Sequence, residues 1–90
     1  MSEVAVIGAG YVGMTTAACL ARLGHRVTCA DVNEQRVAAL AQGRVPILEQ
    51  GLPELVQEGI AAGRLRFVVG ATAAARDAEF VFLCVQTPQS

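Results

Sequence analysis

The sequence has no stretch approaching the ~20 consecutive apolar residues of a membrane span, so no membrane partner is expected. Its acidic and basic residues nearly cancel, at a net charge of −1, and are scattered along the chain. No basic stripe is available to release counterions from a nucleic acid, which excludes that class of partner. Any phosphate must be held by local dipoles. The opening Met1-Ser2-Glu3 lacks the basic segment of a signal peptide, and the apolar run behind it breaks at Gly8. A cytoplasmic protein is expected. The three cysteines, Cys19, Cys29 and Cys84, show no CxxC spacing and sit among apolar neighbours. They read as buried, reduced thiols, and neither a metal site nor a catalytic thiol is expected. What the chain does have is apolar mass: 53% of its 90 residues, with a mean hydropathy of +0.45. A chain of this size buries only roughly 60–65% of its unfolded surface. So rich a composition implies that some apolar segments expect further strands, a second domain or a second subunit.

Glu3 to Ile7 is a short β-branched run ended by Gly8, the pattern of a buried strand. From Tyr11 to Leu23 the period becomes helical. Val12, Thr16, Cys19, Leu20 and Leu23 share one face, Ala17, Ala18 and Ala21 permit close packing, and Gly24 supplies the stop. Arg26 to Asp31 predicts a second strand, and Asn33 can cap a second helix carrying Val37, Leu40 and Ala41 inward as far as Gly43. Two strands joined by a helix of this length form a right-handed parallel crossover. Pro46 makes residues 44–51 a loop. Leu52, Leu55, Val56 and Ile60 then predict a helix with Pro53 in its first turn and Gly63 at its end. Leu65 to Val69 reads as a third strand, Thr72 to Asp77 as a helical turn, and Phe80 to Val85 as a fourth strand. That last run is apolar on both faces and so is expected at the centre of a sheet.

Gly8-Ala9-Gly10-Tyr11-Val12-Gly13 matches GxGxxG. The pattern alone is weak. Here it leaves a predicted strand, opens a predicted helix and lies inside a crossover unit of about thirty residues. Gly8 permits the tight turn, Gly10 lets a pyrophosphate approach the backbone, and Gly13 lets helix and strand pack closely. Free amides and the helix dipole supply the positive end. No GK[ST] follows, which disfavours a nucleoside-triphosphate loop. The plainer alternative is a glycine turn that binds nothing. Asp31 closes the second strand, where a carboxylate accepts hydrogen bonds from the adenosine ribose; otherwise it is a turn or capping aspartate. Its charge repels a 2′-phosphate and no arginine occupies positions 32 or 33, so NAD is favoured over NADP. Arg36, one turn into the second helix, either reaches the adenosine end or is a solvated helix arginine.

The runs VAVIGAGYVG, GHRVTCADVNEQRV, PILEQGL and FVFLCVQTP, in this order, resemble the N-terminal domain of the UDP-glucose/GDP-mannose dehydrogenases, with the UDP-glucose branch the most similar. GAGYVG occurs in several dehydrogenase families, whereas the later two segments are far more specific. The resemblance covers nearly all of the chain but only the amino-terminal portion of a typical member. It implies an enzyme that oxidises the C6 alcohol of a nucleotide sugar to a carboxylate with two NAD, in the supply of precursors for polysaccharides. The family mechanism runs through a cysteine thiolate, a thiohemiacetal and a thioester, helped by lysine, asparagine and aspartate. A thiolate suits the task because it holds the aldehyde between two hydride transfers. Those residues lie beyond position 90 in the family pattern, so no catalytic role falls on the cysteines here. The resemblance also implies a homo-oligomer for the full-length protein. Gly8, Gly10, Tyr11, Val12 and Gly13 match the pyrophosphate loop, Asp31 the ribose-binding acid and Arg36 the basic residue at the adenosine end. Thr87 matches a threonine contacting NAD and is otherwise a turn hydroxyl. Leu48 and Gln50 depart from a common tyrosine and proline, and Gln86 from a common proline, serine or asparagine. Those departures weaken assignment to one sugar and leave the glycines and Asp31 intact. Glu49 keeps the family acid and is equally a surface carboxylate; His25 reads as a helix C-terminal cation or surface residue.

The expected architecture is α/β: a Rossmann-type parallel sheet of order 3-2-1-4 with helices on both faces, truncated after the fourth strand. Residues 1–90 then form part of an NAD-binding domain able to hold the adenosine half of NAD and unable to turn over by themselves. The competing readings are another Rossmann dehydrogenase, of 3-hydroxyacyl-CoA or 6-phosphogluconate type, and a non-catalytic nucleotide-binding module. PILEQGL and CVQTP argue against the former.

Overall fold

The computed structural model describes residues 2–45 and 50–84. Along the chain these form β1 (Glu3–Ile7), α1 (Tyr11–Arg22), β2 (Arg26–Asp31), α2 (Glu34–Ala41), α3 (Leu52–Ala61), β3 (Leu65–Val69), α4 (Ala71–Ala75) and β4 (Phe80–Leu83). The strands make one sheet of order β3-β2-β1-β4. All three pairings are parallel: Val4 sits opposite Val27 and Phe80, and Val27 opposite Leu65. Parallel neighbours force each connection to cross over a face of the sheet, and helices fill those crossings. The order and the two-faced cover agree with the sequence expectation.

One face carries the main core. Val4, Val6, Val27, Cys29, Leu65 and Phe67 from the strands meet Met14, Ala17 and Ala18 of α1, Val37 and Leu40 of α2, and Leu52 and Val56 of α3. The other face is thinner, with Ala5 and Ala30 under Ala74 of α4. The buried face of α1 keeps the close packing expected of Ala17, Ala18 and Ala21 but not the bulkier residues expected on one face. Gly13, Met14, Ala17, Ala18 and Ala21 point inward, while Val12 and Leu23 are exposed and Cys19 faces out. Only Leu20 of the predicted set packs against the core. The helix lies so near the sheet and α3 that small residues are required. A Cβ added to Gly59 of α3 would come 2.9 Å from the Leu65 Cβ and 3.5 Å from the Ala21 Cβ.

α2 begins where expected, with the Asn33 side chain accepting from the Arg36 N–H at 2.9 Å. A cap of this kind contributes about 1 kcal/mol. Val37 and Leu40 are buried, but Ala41, expected inward, is exposed. Gly24, Gly43 and Gly63 follow the ends of α1, α2 and α3 at positive φ, as the sequence implies. α4 is one turn, slightly earlier than the predicted Thr72–Asp77. His25, expected as a cation or surface residue, is half-buried and accepts the Ser2 N–H through Nδ1 at 3.1 Å.

β4 holds the place that the expected order 3-2-1-4 gives it, although its apolar run had suggested a strand with neighbours on both sides. It pairs with β1 on one side and forms the rim on the other, and all four of its residues are exposed. An apolar run reports that both faces of a strand are to be covered; it does not report how many neighbours the strand has. Of the predicted strand, Val85 lies outside the described residues, as do Pro46, Leu48 and Glu49 of the loop.

Candidate cofactor site

β1 delivers the chain to the carboxyl end of the sheet, where Gly8 turns it with φ 108°. That conformation is strained for any residue with a Cβ. The Gly8 N–H donates to Ala30 O at 2.7 Å, anchoring the turn to β2. Six residues on, Met14 N–H donates to Gly10 O at 2.9 Å, the first bond of α1. The amides of Val12 and Gly13 therefore come before the helical ladder, where a helix leaves its N–H groups without internal acceptors. Gly10 occupies the cap position without a side-chain cap, and no acidic residue stands in the first turn.

Gly13 and Gly10 have opposite surroundings. A Cβ on Gly13 would lie 1.7 Å from Gly8 O and 3.3 Å from the Cys84 Cβ, so this glycine sets how closely α1 meets β1. A Cβ on Gly10 would meet nothing within 4 Å. Gly10 has φ −72° and ψ −169°, extended backbone that any residue adopts. Backbone geometry thus gives no reason for glycine at position 10, whereas an approaching ligand does.

Asp31, at the end of β2, closes the opposite wall. Its Oδ2 accepts the Ala9 N–H at 2.8 Å and a bond from Arg36 Nη1 at 3.2 Å. Its Oδ1 accepts the Asn33 N–H at 2.9 Å. Burial works to raise the Asp31 pKa, but the Ala9 and Asn33 amides and the Arg36 charge outweigh it and hold the carboxyl below its ordinary value of 3.8. Its contribution to stability is therefore complete above that value and is lost as pH falls through the lowered one. Denaturation followed from neutral pH to below 3.8 should show the parent losing more stability than Asp31→Asn, which has no charge to lose. Equal losses would mean the carboxylate contributes nothing to the acid limb.

The cleft between these walls has a volume of about 570 Å³ and is lined by Gly8, Gly10, Tyr11, Val12, Asp31, Val32, Arg36 and Cys84. The sequence-predicted residues thus converge, with Gly13 just behind the lining and Thr87 outside the described residues. Arg36 stands beside Asp31 although positions 32 and 33 offer no arginine. Val32 and Cys84 were not anticipated as lining. Their signal is positional, since each lies at the carboxyl end of a strand flanking β1. The expectation of three buried thiols holds only for Cys29. Burial, with the Asp31 charge and Cys84 adding to it, pushes the Cys29 thiol up to about 12. It stays protonated at neutral pH and acts as a small apolar residue.

An uncapped helix start, an open space above Gly10 and a carboxylate at the tip of the adjoining strand suit a dinucleotide: diphosphate on the first, ribose hydroxyls on the last. Residues 2–90 match the family model described as "UDP-glucose/GDP-mannose dehydrogenase family, NAD binding domain". The chain is 45% identical over 86 residues to the UDP-glucose 6-dehydrogenase of Pseudomonas aeruginosa, covering 96% of this chain and 19% of that protein. It is 41% identical over 86 residues to the GDP-mannose 6-dehydrogenase of Azotobacter vinelandii, covering 96% and 20%. Among solved structures, the UDP-glucose dehydrogenase of Pyrobaculum islandicum superimposes with a TM-score of 0.95 at 40% identity, over 100% of this chain and 21% of that one. A ternary complex of GDP-mannose dehydrogenase from Pseudomonas aeruginosa gives 0.92 at 38% identity, over 98% and 20%. The chain spans about a fifth of the length of these relatives. With residues 2–90 matched by the family model and the fold reproduced, this chain belongs to the UDP-glucose/GDP-mannose dehydrogenase family and matches its NAD-binding domain.

Proposed function

We propose that the chain holds the adenosine diphosphate half of NAD within a nucleotide-sugar 6-dehydrogenase whose substrate is UDP-glucose. The observation that carries the reading is the empty space over Gly10, facing a helix start that no side chain caps. The pyrophosphate lies there, against the opening amides of α1. Gly8 turns the loop beneath it and Gly13 fixes its depth. Asp31 accepts hydrogen bonds from the adenosine ribose, Arg36 lies at the adenine end, and Tyr11 and Val12 form the exposed wall. Thr87 is a further contact of the cofactor, by its match to the family pattern. Bound NAD supplies the hydride acceptor for each of the two oxidation steps; the chain's own residues bind and orient it.

The curated relatives named for UDP-glucose and for GDP-mannose support an NAD-dependent alcohol oxidation at sugar C6 in the whole protein. We assign no catalytic residue to these 90 positions and expect the chain by itself to be inactive. The whole protein works as a cytoplasmic homo-oligomer supplying uronic-acid nucleotides for polysaccharide synthesis. No helix among the described residues is long and apolar enough to cross a membrane.

Calorimetric titration of NAD into the chain tests the reading. Saturable binding of one NAD per chain is expected, weakened roughly tenfold or more by Asp31→Ala, the cost of removing a charged hydrogen-bond acceptor. No NADH should form with UDP-glucose. A folded chain that takes up no NAD, or one that reduces it, overturns the proposal.

A further inference from the structure

The chain's seven positive side chains are all arginines, scattered along the sequence, and the sheet gathers three of them. Arg26 opens β2, Arg64 stands just before β3, and Arg66 follows two residues on. The Val27 N–H donates to Arg64 O at 2.7 Å and Thr28 pairs with Arg66, so all three lie at the amino-terminal end of two neighbouring strands. They line one cleft of about 220 Å³, in which Glu3 is the one acid among the described lining residues. This end of the sheet is opposite the glycine loop, a strand length of roughly 17–20 Å away.

The charges in this cleft do not balance. Arg26 takes Glu3, at 3.3 Å, and among the described residues neither Arg64 nor Arg66 has an ion-pair partner. Asp77 lines a separate hollow beside Arg66 and makes no ion pair with it. Like charges side by side on neighbouring strands destabilise a sheet. Arg64 and Arg66 are exposed, so packing gives no reason for arginine at either position. Arg66 is nonetheless oriented: its Nε donates to Thr28 Oγ1 at 2.9 Å, and Thr28 is itself buried. A guanidinium held through Nε keeps its two terminal nitrogens for a ligand. We infer that this cleft is a second anion site, one that takes a diphosphate group, whether free or as the tail of a nucleotide. Three guanidinium groups on one cleft favour an ion with several adjacent charges, and their planar forks bind phosphate oxygens in pairs. Such an ion also relieves the repulsion between Arg26 and Arg64. The site owes nothing to the dinucleotide cleft and stands whether or not NAD binds there.

Pyrophosphate titrated into the isotope-labelled chain at low ionic strength tests this, because nuclear magnetic resonance separates the two ends of the sheet. Residues 26–28 and 64–66 report this cleft, and residues 8–13 the glycine loop. Saturable shifts at 26–28 and 64–66 are expected. The affinity they report should fall roughly tenfold in Arg64→Gln and further in Arg64→Gln/Arg66→Gln, while the shifts that NAD produces at residues 8–13 stay those of the parent. Uridine diphosphate in place of pyrophosphate identifies the source: equal affinity means that the diphosphate alone is read, and tighter binding means that the nucleoside is read with it. Circular dichroism monitors folding, and should the double variant not fold, Arg64→Gln, which removes no ion pair, carries the comparison. Pyrophosphate that leaves residues 26–28 and 64–66 unmoved, or that moves them equally in parent and variants, overturns the inference.

Discussion

Gly10→Thr should melt within a few degrees of the parent and yet bind NAD about a hundredfold more weakly, or not at all. The two halves of this result have separate causes. The position is extended backbone with no protein atom within 4 Å of the added Cβ, so neither strain nor overlap opposes the substitution. Threonine and glycine are about equal as helix caps, which keeps the stability change within about 0.5 kcal/mol. The added branch stands where the pyrophosphate must come closest, and its hydroxyl can accept the first-turn amides that the anion needs. Losing both close approach and amide contacts costs about 3 kcal/mol of binding, which is the hundredfold. Thermal denaturation and calorimetry on the same sample check both halves. Undiminished NAD binding would place the pyrophosphate elsewhere.

Gly13→Ala should give the opposite pattern, a loss of the fold itself. The new methyl would sit 1.7 Å from the carbonyl oxygen of Gly8. The obstacle is backbone in a turn held by the Gly8 N–H bond to Ala30, so no rotamer change relieves it. Helix and strand must move apart, opening the contacts of Met14 and Ala17 with the main core. Overpacking of this severity costs about 3 kcal/mol, and in a domain of this size that lowers the melting temperature by roughly 12–24 °C. NAD binding falls with it. A parent-like melting curve would show that the β1–α1 junction yields more readily than its geometry implies. Two glycines three positions apart thus separate a residue kept small for the ligand from one kept small for the fold.

Much of this was legible in the sequence because it depends on local chemistry. β-branched runs bounded by glycine specify strands wherever they occur, and Asn33 announces its helix through its own side chain. The glycine loop and Asp31 were readable because a strand–turn–helix unit brings successive strand ends together without reference to the rest of the chain. What escaped depends on distance between elements. The buried face of α1 was read only in part: Ala17, Ala18 and Ala21 pack closely as expected, but the bulkier Val12, Cys19 and Leu23 face out, because helix, sheet and α3 approach so nearly that small residues make the contact. The Ala9–Asp31 bond joins the glycine loop to the end of β2 and carries no periodic signal. Arg36 reaches Asp31 across a strand–helix junction, where neither the spacing of a strand nor that of a helix applies. The pairing order that puts β4 beside β1 was, by contrast, part of the expected architecture.

That pairing order has a consequence for how the molecule comes into being. Val4 sits opposite Phe80, so β1 waits for its second neighbour until β2 and β3 have both emerged. β1, β2 and β3 can assemble on the emerging polypeptide as consecutive crossovers, each closing a modest loop. Among the described strand pairings β4 closes the longest loop, and contacts so remote in sequence form slowly. Cys84, which completes the cleft beside Gly13, arrives with it. A nascent chain therefore presents the glycine loop before the Cys84 side of the cleft exists, and competence to hold a nucleotide waits on β4.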